Sequence, residues 1–264
     1  MTSTHRPLRG RRLSRAIILA LAPILVPQAV ALRLIVPLLP EPPTPWEGGG
    51  SGYGDGDGDA LNLLVIGDSM AVGVGCDDAS QGLAGCVAAE LTQHMGRPVR
   101  WRARGRNGAT AKDVVRDFLN KALAAPTDVV VISLGANDSM QVRSHRAFRR
   151  DIKRIVRAVF SAHPRAVVLM SALPAFHRFG LLPEPLRGTL YLHAQSLEVS
   201  ARRALEHFPR AHMTPPLPPY DADHFATDDF HPSAHGYGEW AEFIVGDAVA
   251  HGIAAQLPAR ARSE

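Results

Sequence analysis

Four apolar residues, Leu63-Leu64-Val65-Ile66, run without interruption into Gly67-Asp68-Ser69. An unbroken apolar run with β-branched residues, ended by glycine, fits a strand buried on both faces of a parallel sheet rather than a strand with one face in water. Parallel strands need crossover connections, so this stretch asks for helices on either side of it. It also places Ser69 at the carboxyl end of the strand, where open α/β sheets hold their ligands. Taken alone, the stretch has a plainer reading, in which Asp68 and Ser69 only cap the helix that follows.

The remainder of the chain repeats the pattern. Strands are expected at 61–67, 98–103, 128–134, 166–171 and, more briefly, 210–213. Helices are expected at 81–94, 111–123, 144–162, 190–207 and 233–250, with Leu83, Val87 and Leu91 on one face of the first and Ile152, Ile155, Val156 and Val159 inward on the third. Alternation on this spacing predicts an α/β fold, a three-layer α/β/α sandwich around a parallel sheet of about five strands with right-handed crossovers. Apolar residues make up 46% of the 264, enough to cover both faces of such a sheet. The net charge of +4 is spread along the chain, and no Lys/Arg run is interleaved with aromatics, so no nucleic-acid partner is expected.

Four segments follow from composition. Residues 1–39 hold a basic head (Arg6, Arg9, Arg11, Arg12, Arg15) and an apolar run from Ala16 to Leu32 that resumes through Leu34–Leu39. This reads as an export signal or a membrane anchor, with a peripheral hydrophobic arm folded on the domain as the alternative. Ala29-Val30-Ala31 fits a cleavage site, whereas Pro23, Pro27 and the short run argue against a clean span. The expected location is membrane-associated or exported, with membrane association through residues 16–39. Residues 40–60 read as a Pro/Gly-rich linker, and the Asp55–Asp59 alternation with glycine lacks the rest of a calcium loop. Residues 61–255 form the globular domain, and 256–264 a C-terminal tail. The two cysteines, Cys76 and Cys86, lack metal-site spacing; they read either as a disulfide closing a short loop or as two small buried thiols.

The strand ends carry the chemistry. After the first comes Gly67-Asp68-Ser69, after the second Gly105-Arg106-Asn107-Gly108, after the third Gly135-Ala136-Asn137-Asp138, and before the last helix Asp228-Asp229-Phe230-His231. In a parallel sheet these segments converge on one edge. Ser69 then offers a nucleophile, His231 a base, and Asp228, three residues earlier, a carboxylate to orient the imidazole. The Ser69 and Gly108 amides and the Asn137 side chain offer three donors to an oxyanion; glycine at 108 is expected because the backbone must approach closely.

In order, these four segments resemble the sequence blocks of the SGNH/GDSL hydrolases, over residues 61–250. The resemblance implies a flavodoxin-like fold and metal-free, cofactor-free serine ester hydrolysis. It makes Ser69, Asp228 and His231 the catalytic residues and Ser69, Gly108 and Asn137 the oxyanion hole. Met70 stands where the family has leucine, and Asp229 adjoins the aspartate, which only its spacing to His231 selects. Gly67–Gly75, Arg104–Thr110 and Pro183–Arg187 are further similar to a bacterial subgroup that fixes no substrate. The expected partner is a small-molecule or lipid-like ester. Acyl esterase or lipase action, carbohydrate O-deacetylation and thioester hydrolysis share this machinery, and a catalytically silent binding module shares the fold. Leu173, Phe176, Phe179, Leu181 and Leu182, in the loop 173–188, lean towards an apolar substrate portion.

Competing motifs fit less well. An α/β-hydrolase elbow would follow several strands, with its acid and histidine on separate loops. A dinucleotide loop would need a third glycine after Gly73-Val74-Gly75. A metal on His224, His231 and His235 would take His231 out of base chemistry. Tyr237, Trp240 and Phe243 are spaced as core residues of a helix.

Overall fold

Six strands form one sheet in a computed structural model that describes residues 11–49, 60–219 and 223–257. They are β1 (Glu47–Gly49), β2 (Leu61–Gly67), β3 (Val99–Gly105), β4 (Val129–Ser133), β5 (Val167–Met170) and β6 (Ala211–Met213). Their order is β1-β3-β2-β4-β5-β6, and every pairing is parallel except β1 with β3. The helices, in chain order, are α1 (Ser14–Ala20), α2 (Ala22–Ile35), α3 (Leu83–Met95), α4 (Ala111–Asp113), α5 (Leu119–Ala122), α6 (Ala136–Met140), α7 (His145–Ala162), α8 (Leu186–Leu205) and α9 (Ala234–Ala250).

Strand side chains alternate between two cores. Leu64, Ile66, Val130, Ile132, Val168 and Met170 face a layer built from α7 and α8. Leu61, Leu63, Val65, Val129, Val131, Val167 and Leu169 face α3 and α9. The unbroken apolar runs are thus explained: both faces of each central strand are covered, and each fully buried Leu, Ile or Val contributes about 1.5–3 kcal/mol. Helix α7 presents Phe148, Ile152, Ile155, Val156 and Val159 to the sheet, while its N-cap Ser144 accepts from the Ala147 amide.

Three details depart from the sequence expectation. The five parallel strands are joined by an antiparallel edge strand, β1, inside the segment read as linker. Gly48 lies so close to the Trp101 ring that a Cβ would stand 3.0 Å from it, so glycine at 48, which read as flexible linker, is what lets this edge form. The Asp55–Asp59 run lies outside the described residues, as do most of the tail at 256–264 and Arg6 and Arg9. The expected helix 111–123 is interrupted by a π-turn at Val114–Phe118 between α4 and α5. Helix α8 begins at Leu186, earlier than expected, directly after Pro185.

The N-terminal helices lie against the core rather than apart from it. Ile18 and Leu25 are buried in the α7/α8 layer. Ser14 Oγ lies 2.9 Å from His193 Nδ1, and Gln28 bridges to the Glu184 carbonyl and the Leu186 amide. Among the described residues no single helix is long and apolar enough to cross a membrane; α1 and α2 pass that test only together, bent by 84°. Cys76 and Cys86 are free, half-buried thiols that both donate to the Gln81 carbonyl. Burial, with Cys86 and two nearby carboxylates adding to it, pushes the Cys76 thiol up to about 12.

Candidate active site

The carboxyl ends of β2, β3 and β4 are neighbours, with β2 in the middle; Gly67 is in register with Gly105 on one side and Ser133 on the other. Ser69, one turn beyond β2, is therefore flanked by the loop carrying Gly108 and by α6 carrying Asn137. The segment 228–231 reaches the same edge from the far side of the sequence.

His231 Nε2 lies 3.0 Å from Ser69 Oγ, and His231 Nδ1 lies 2.5 Å from Asp228 Oδ2. The other carboxylate oxygen, Asp228 Oδ1, accepts from the backbone amides of Phe230 and His231 at 3.0 and 2.9 Å. The carboxylate is thus fixed by its own loop before it meets the imidazole. Burial would push Asp228 up, but the His231 hydrogen bonds and charge and the Phe230 amide outweigh it and hold the group below its ordinary value. Asp229 is exposed and in the left-handed region at φ 51°, and it is Asp228 that meets the imidazole. The three-residue spacing thus selects the aspartate that touches the imidazole.

Gly108 is exposed with φ +78°, and a Cβ there would meet nothing within 4 Å. The positive φ gives glycine a conformational reason at this position, and the space over the residue is open. Asn137 is half-buried and donates one amide hydrogen to Asp68 Oδ2 at 3.3 Å, leaving the second for a ligand.

Residues that the sequence reading passed over hold these groups in place. Asp68 Oδ1 accepts from the Met70 amide, so one carboxylate ties the turn after β2 to Asn137. Burial, reinforced by the Asp138 charge, raises Asp68 to about 7. Asp138 accepts from the Ala111 amide at 3.0 Å and from Arg143 at 2.7 Å, which joins α6 to the loop that carries Gly108. Burial raises Asp138 to about 6 against the pull of that amide and of Arg143. Tyr237, expected simply as core, is fully buried and donates its hydroxyl to the Val74 carbonyl. Gly75, at φ +104°, lies beneath the histidine loop, where a Cβ would fall 2.3 Å from the Pro232 carbonyl oxygen. The signal for Asp68, Asp138 and Gly75 was their adjacency to the blocks already singled out.

His224 turns away from this centre to Glu239, 2.9 Å distant, with His235 near the same carboxylate. The three histidines weighed as a metal cluster are thus not brought together. Leu173, Phe176, Phe179 and Leu182 are buried, Phe179 packing edge-on to Phe225 and Phe230. The space left among Met70, Leu173, Phe179, Phe225, Phe230 and Pro232 is a cavity of about 30 Å³.

A family model described as "GDSL-like Lipase/Acylhydrolase family" matches residues 65–238. The chain belongs to that family. A curated relative, the GDSL-like esterase Rv1075c of Mycobacterium tuberculosis, is 28% identical over 193 residues, covering 70% of this chain. The chain spans 60% of that relative's length. Among solved structures, the lipase Lip_vut3 from a goat rumen metagenome superposes with a TM-score of 0.60 at 15% identity, covering 71% of this chain and 97% of its own. A Clostridium thermocellum family 3 carbohydrate esterase gives 0.58 at 14% identity, covering 76% and 100%. An extracellular lipase from Streptomyces rimosus gives 0.55 at 18%, covering 71% and 99%. At these identities the superpositions establish the fold: this GDSL-family chain has the α/β architecture of family hydrolases.

Proposed function

We propose that this GDSL-family chain hydrolyses carboxylic esters through Ser69, His231 and Asp228, with Ser69, Gly108 and Asn137 stabilising the oxyanion. The observation that carries the reading is the unbroken contact from Ser69 Oγ through His231 to the buried Asp228. His231 takes the Ser69 proton as Oγ attacks the ester carbonyl. The carbonyl oxygen, now anionic, is met by the Ser69 and Gly108 amides and by the second amide hydrogen of Asn137. His231 returns the proton to the leaving alcohol, then activates the water that frees the acid. Asp228 stays ionised and holds the imidazole in the tautomer that this exchange needs.

The acyl group is short. The apolar side chains of 173–182 are spent on packing, and the cavity next to Met70 and Pro232, sequence neighbours of Ser69 and His231, is about 30 Å³. Such a narrow cleft favours an acetyl-sized acyl group, as in small-ester hydrolysis or carbohydrate deacetylation, over a long chain. The test is hydrolysis of nitrophenyl esters from acetyl to long acyl, with Ser69→Ala in parallel. Serine-dependent activity falling steeply with chain length is the expected result. A maximum at long chains overturns the short-acyl reading, and a normal rate in Ser69→Ala overturns the serine mechanism. No activity on any ester in the wild type would favour a silent binding module.

The N-terminal arm supplies a membrane contact. Leu19, Ile24, Val26, Val30, Leu34, Ile35 and Leu38 are exposed on it, beside the exposed cations of Arg12, Arg15 and Arg33. An apolar face rimmed by cations suits the interface of an anionic bilayer without spanning it. Co-flotation with phosphatidylglycerol vesicles, lost in the double variant Leu34→Asp, Ile35→Asp, is the expected result; equal flotation of both proteins refutes it.

A further inference from the structure

Away from the serine centre, two imidazoles and a carboxylate meet where the last helix ends. His212 lies in the middle of β6; Asp247 and His251 lie in and just after the last turn of α9. One ring nitrogen from each histidine and a carboxylate oxygen all fall within 4.8 Å of one another. His212 Nε2 is 2.6 Å from Asp247 Oδ2. His251 Nδ1 is 3.3 Å from Asp247 Oδ1 and 2.8 Å from the Asp247 carbonyl. The two imidazole rings lie 4.8 Å apart, tilted by 32°.

We propose that His212, Asp247 and His251 form a binding site for a divalent transition-metal ion of the zinc type, which clamps the C-terminal end of α9 to the edge of the sheet. The donor set is the right one. Two imidazoles and a carboxylate are borderline ligands that favour zinc over calcium or magnesium. Ligand atoms about 2.0–2.2 Å from a tetrahedral ion stand roughly 3.4 Å apart. The His212–Asp247 pair therefore opens slightly and the His251 ring closes slightly. His251 can make that adjustment because its side chain is 54% exposed, whereas His212 (20%) and Asp247 (10%) hold the fixed half of the site. The open side leaves a fourth position to water.

The surroundings preorganise the site. Arg210, two residues before His212 and so on the same side of the strand, donates to the carbonyls of Ala166, Arg165 and Gln256. It thereby ties the chain beyond His251 to the same sheet edge. Metal uptake exchanges hydrogen bonds at Asp247 for coordinate bonds, with each imidazole binding through its inner nitrogen and carrying its remaining proton on the outer one. Its place at the far end of α9 from the histidine loop, rather than its ligand count, gives the ion a structural role. The 17 residues of α9 put this end about 25 Å along the helix from the end that follows His231. The clamp consequently steadies the helix that carries the histidine loop without touching the reacting atoms.

The test uses the full chain without a histidine tag, stripped with chelator and titrated with Zn²⁺ by calorimetry and with Co²⁺ by visible absorption. The wild type is expected to take up one equivalent and to melt at a higher temperature with Zn²⁺. Both His251→Gln and His212→Gln are expected to bind more than about tenfold more weakly and to lose the melting shift. His251→Gln changes an exposed side chain, so its folding is secure and circular dichroism verifies it. Absence of stoichiometric uptake by the wild type overturns the proposal, as does uptake that survives either substitution. Nitrophenyl acetate hydrolysis is expected to be the same with and without one equivalent of Zn²⁺, and a dependence of turnover on the ion refutes the structural role.

Discussion

Replacing Asp68 by asparagine tests the buried half of the site through its titration. Asp68 is fully enclosed after β2, and burial, with the Asp138 charge added, lifts its carboxyl from 3.8 to about 7. The folded chain therefore keeps a proton that the unfolded chain releases near 3.8. The stability this group contributes is complete below about 3.8 and is lost as pH rises through about 7. The interval from 3.8 to about 7 is worth about 4 kcal/mol in total, of which about 2–3 kcal/mol falls between pH 5 and pH 8. Asparagine keeps an oxygen for the Met70 amide and does not titrate. Urea unfolding of both proteins at pH 5 and pH 8 isolates the group together with its coupling to Asp138, since the uncoupled titrations cancel in the difference. The wild type should lose about 2–3 kcal/mol more than Asp68→Asn over that interval. Parallel pH dependence in the two proteins would refute the assignment of a retained proton to Asp68, and a wild type that gains relative to the variant would reverse its sign.

Three further outcomes follow from the same geometry. Asn137→Ala removes the side-chain donor held by Asp68 and should lower kcat by roughly 10²–10³-fold with little change in KM, read by steady-state hydrolysis of the best nitrophenyl ester; unchanged turnover removes Asn137 from the oxyanion hole. Asp228→Asn should cost about 10⁴-fold in kcat, whereas Asp229→Asn at the exposed neighbour stays within a few-fold, and the reverse order in the same assay would overturn the choice of carboxylate. Gly75→Ala drives a methyl group into the Pro232 carbonyl at a positive φ, so it should destabilise the fold by about 1–3 kcal/mol and depress kcat by displacing His231; thermal melts matching the wild type would show that the loop gives way freely.

Much of this architecture is legible because the central strands are buried on both faces. Leu61–Gly67 and Val129–Ser133 carry almost no polar residues, and their glycine-bearing ends mark the loops where Ser69 and Asn137 sit. The local spacing of Asp228 and His231 is legible for a similar reason: a carboxylate that accepts from amides two and three residues ahead is a turn built by sequence neighbours. Edge strand β1 is not legible, because Glu47-Gly48-Gly49 has neither β-branched residues nor alternation, and its position depends on the Trp101 ring in another strand. The loop 173–182 reads as an apolar binding surface for want of its partners, Phe225 and Phe230, which arrive from some fifty residues away.

The buried carboxylates show why a motif can be recognised without its physics being visible. Asp68 and Asp138 each stand next to a proposed site residue, Ser69 and Asn137, so a sequence records them as part of the same blocks. Their work is done across the sheet edge: Asp68 holds Asn137 from β2, and Asp138 holds the Ala111 amide from beyond β4 and pairs at 2.7 Å with Arg143, which in turn pairs with Asp151 at 2.6 Å. Each carboxylate fixes one donor loop relative to another, and neither touches the reacting atoms. Burying them is costly, which is why both are raised, and a cost of that kind persists only where the position of a loop matters more than the stability given up. The geometry of the proposed oxyanion hole therefore rests on buried carboxyl groups as much as on its three proposed donors. Neutralising Asp68 should free the fold from a pH-dependent burden while loosening Asn137, so the same substitution is expected to raise stability at pH 8 and lower kcat.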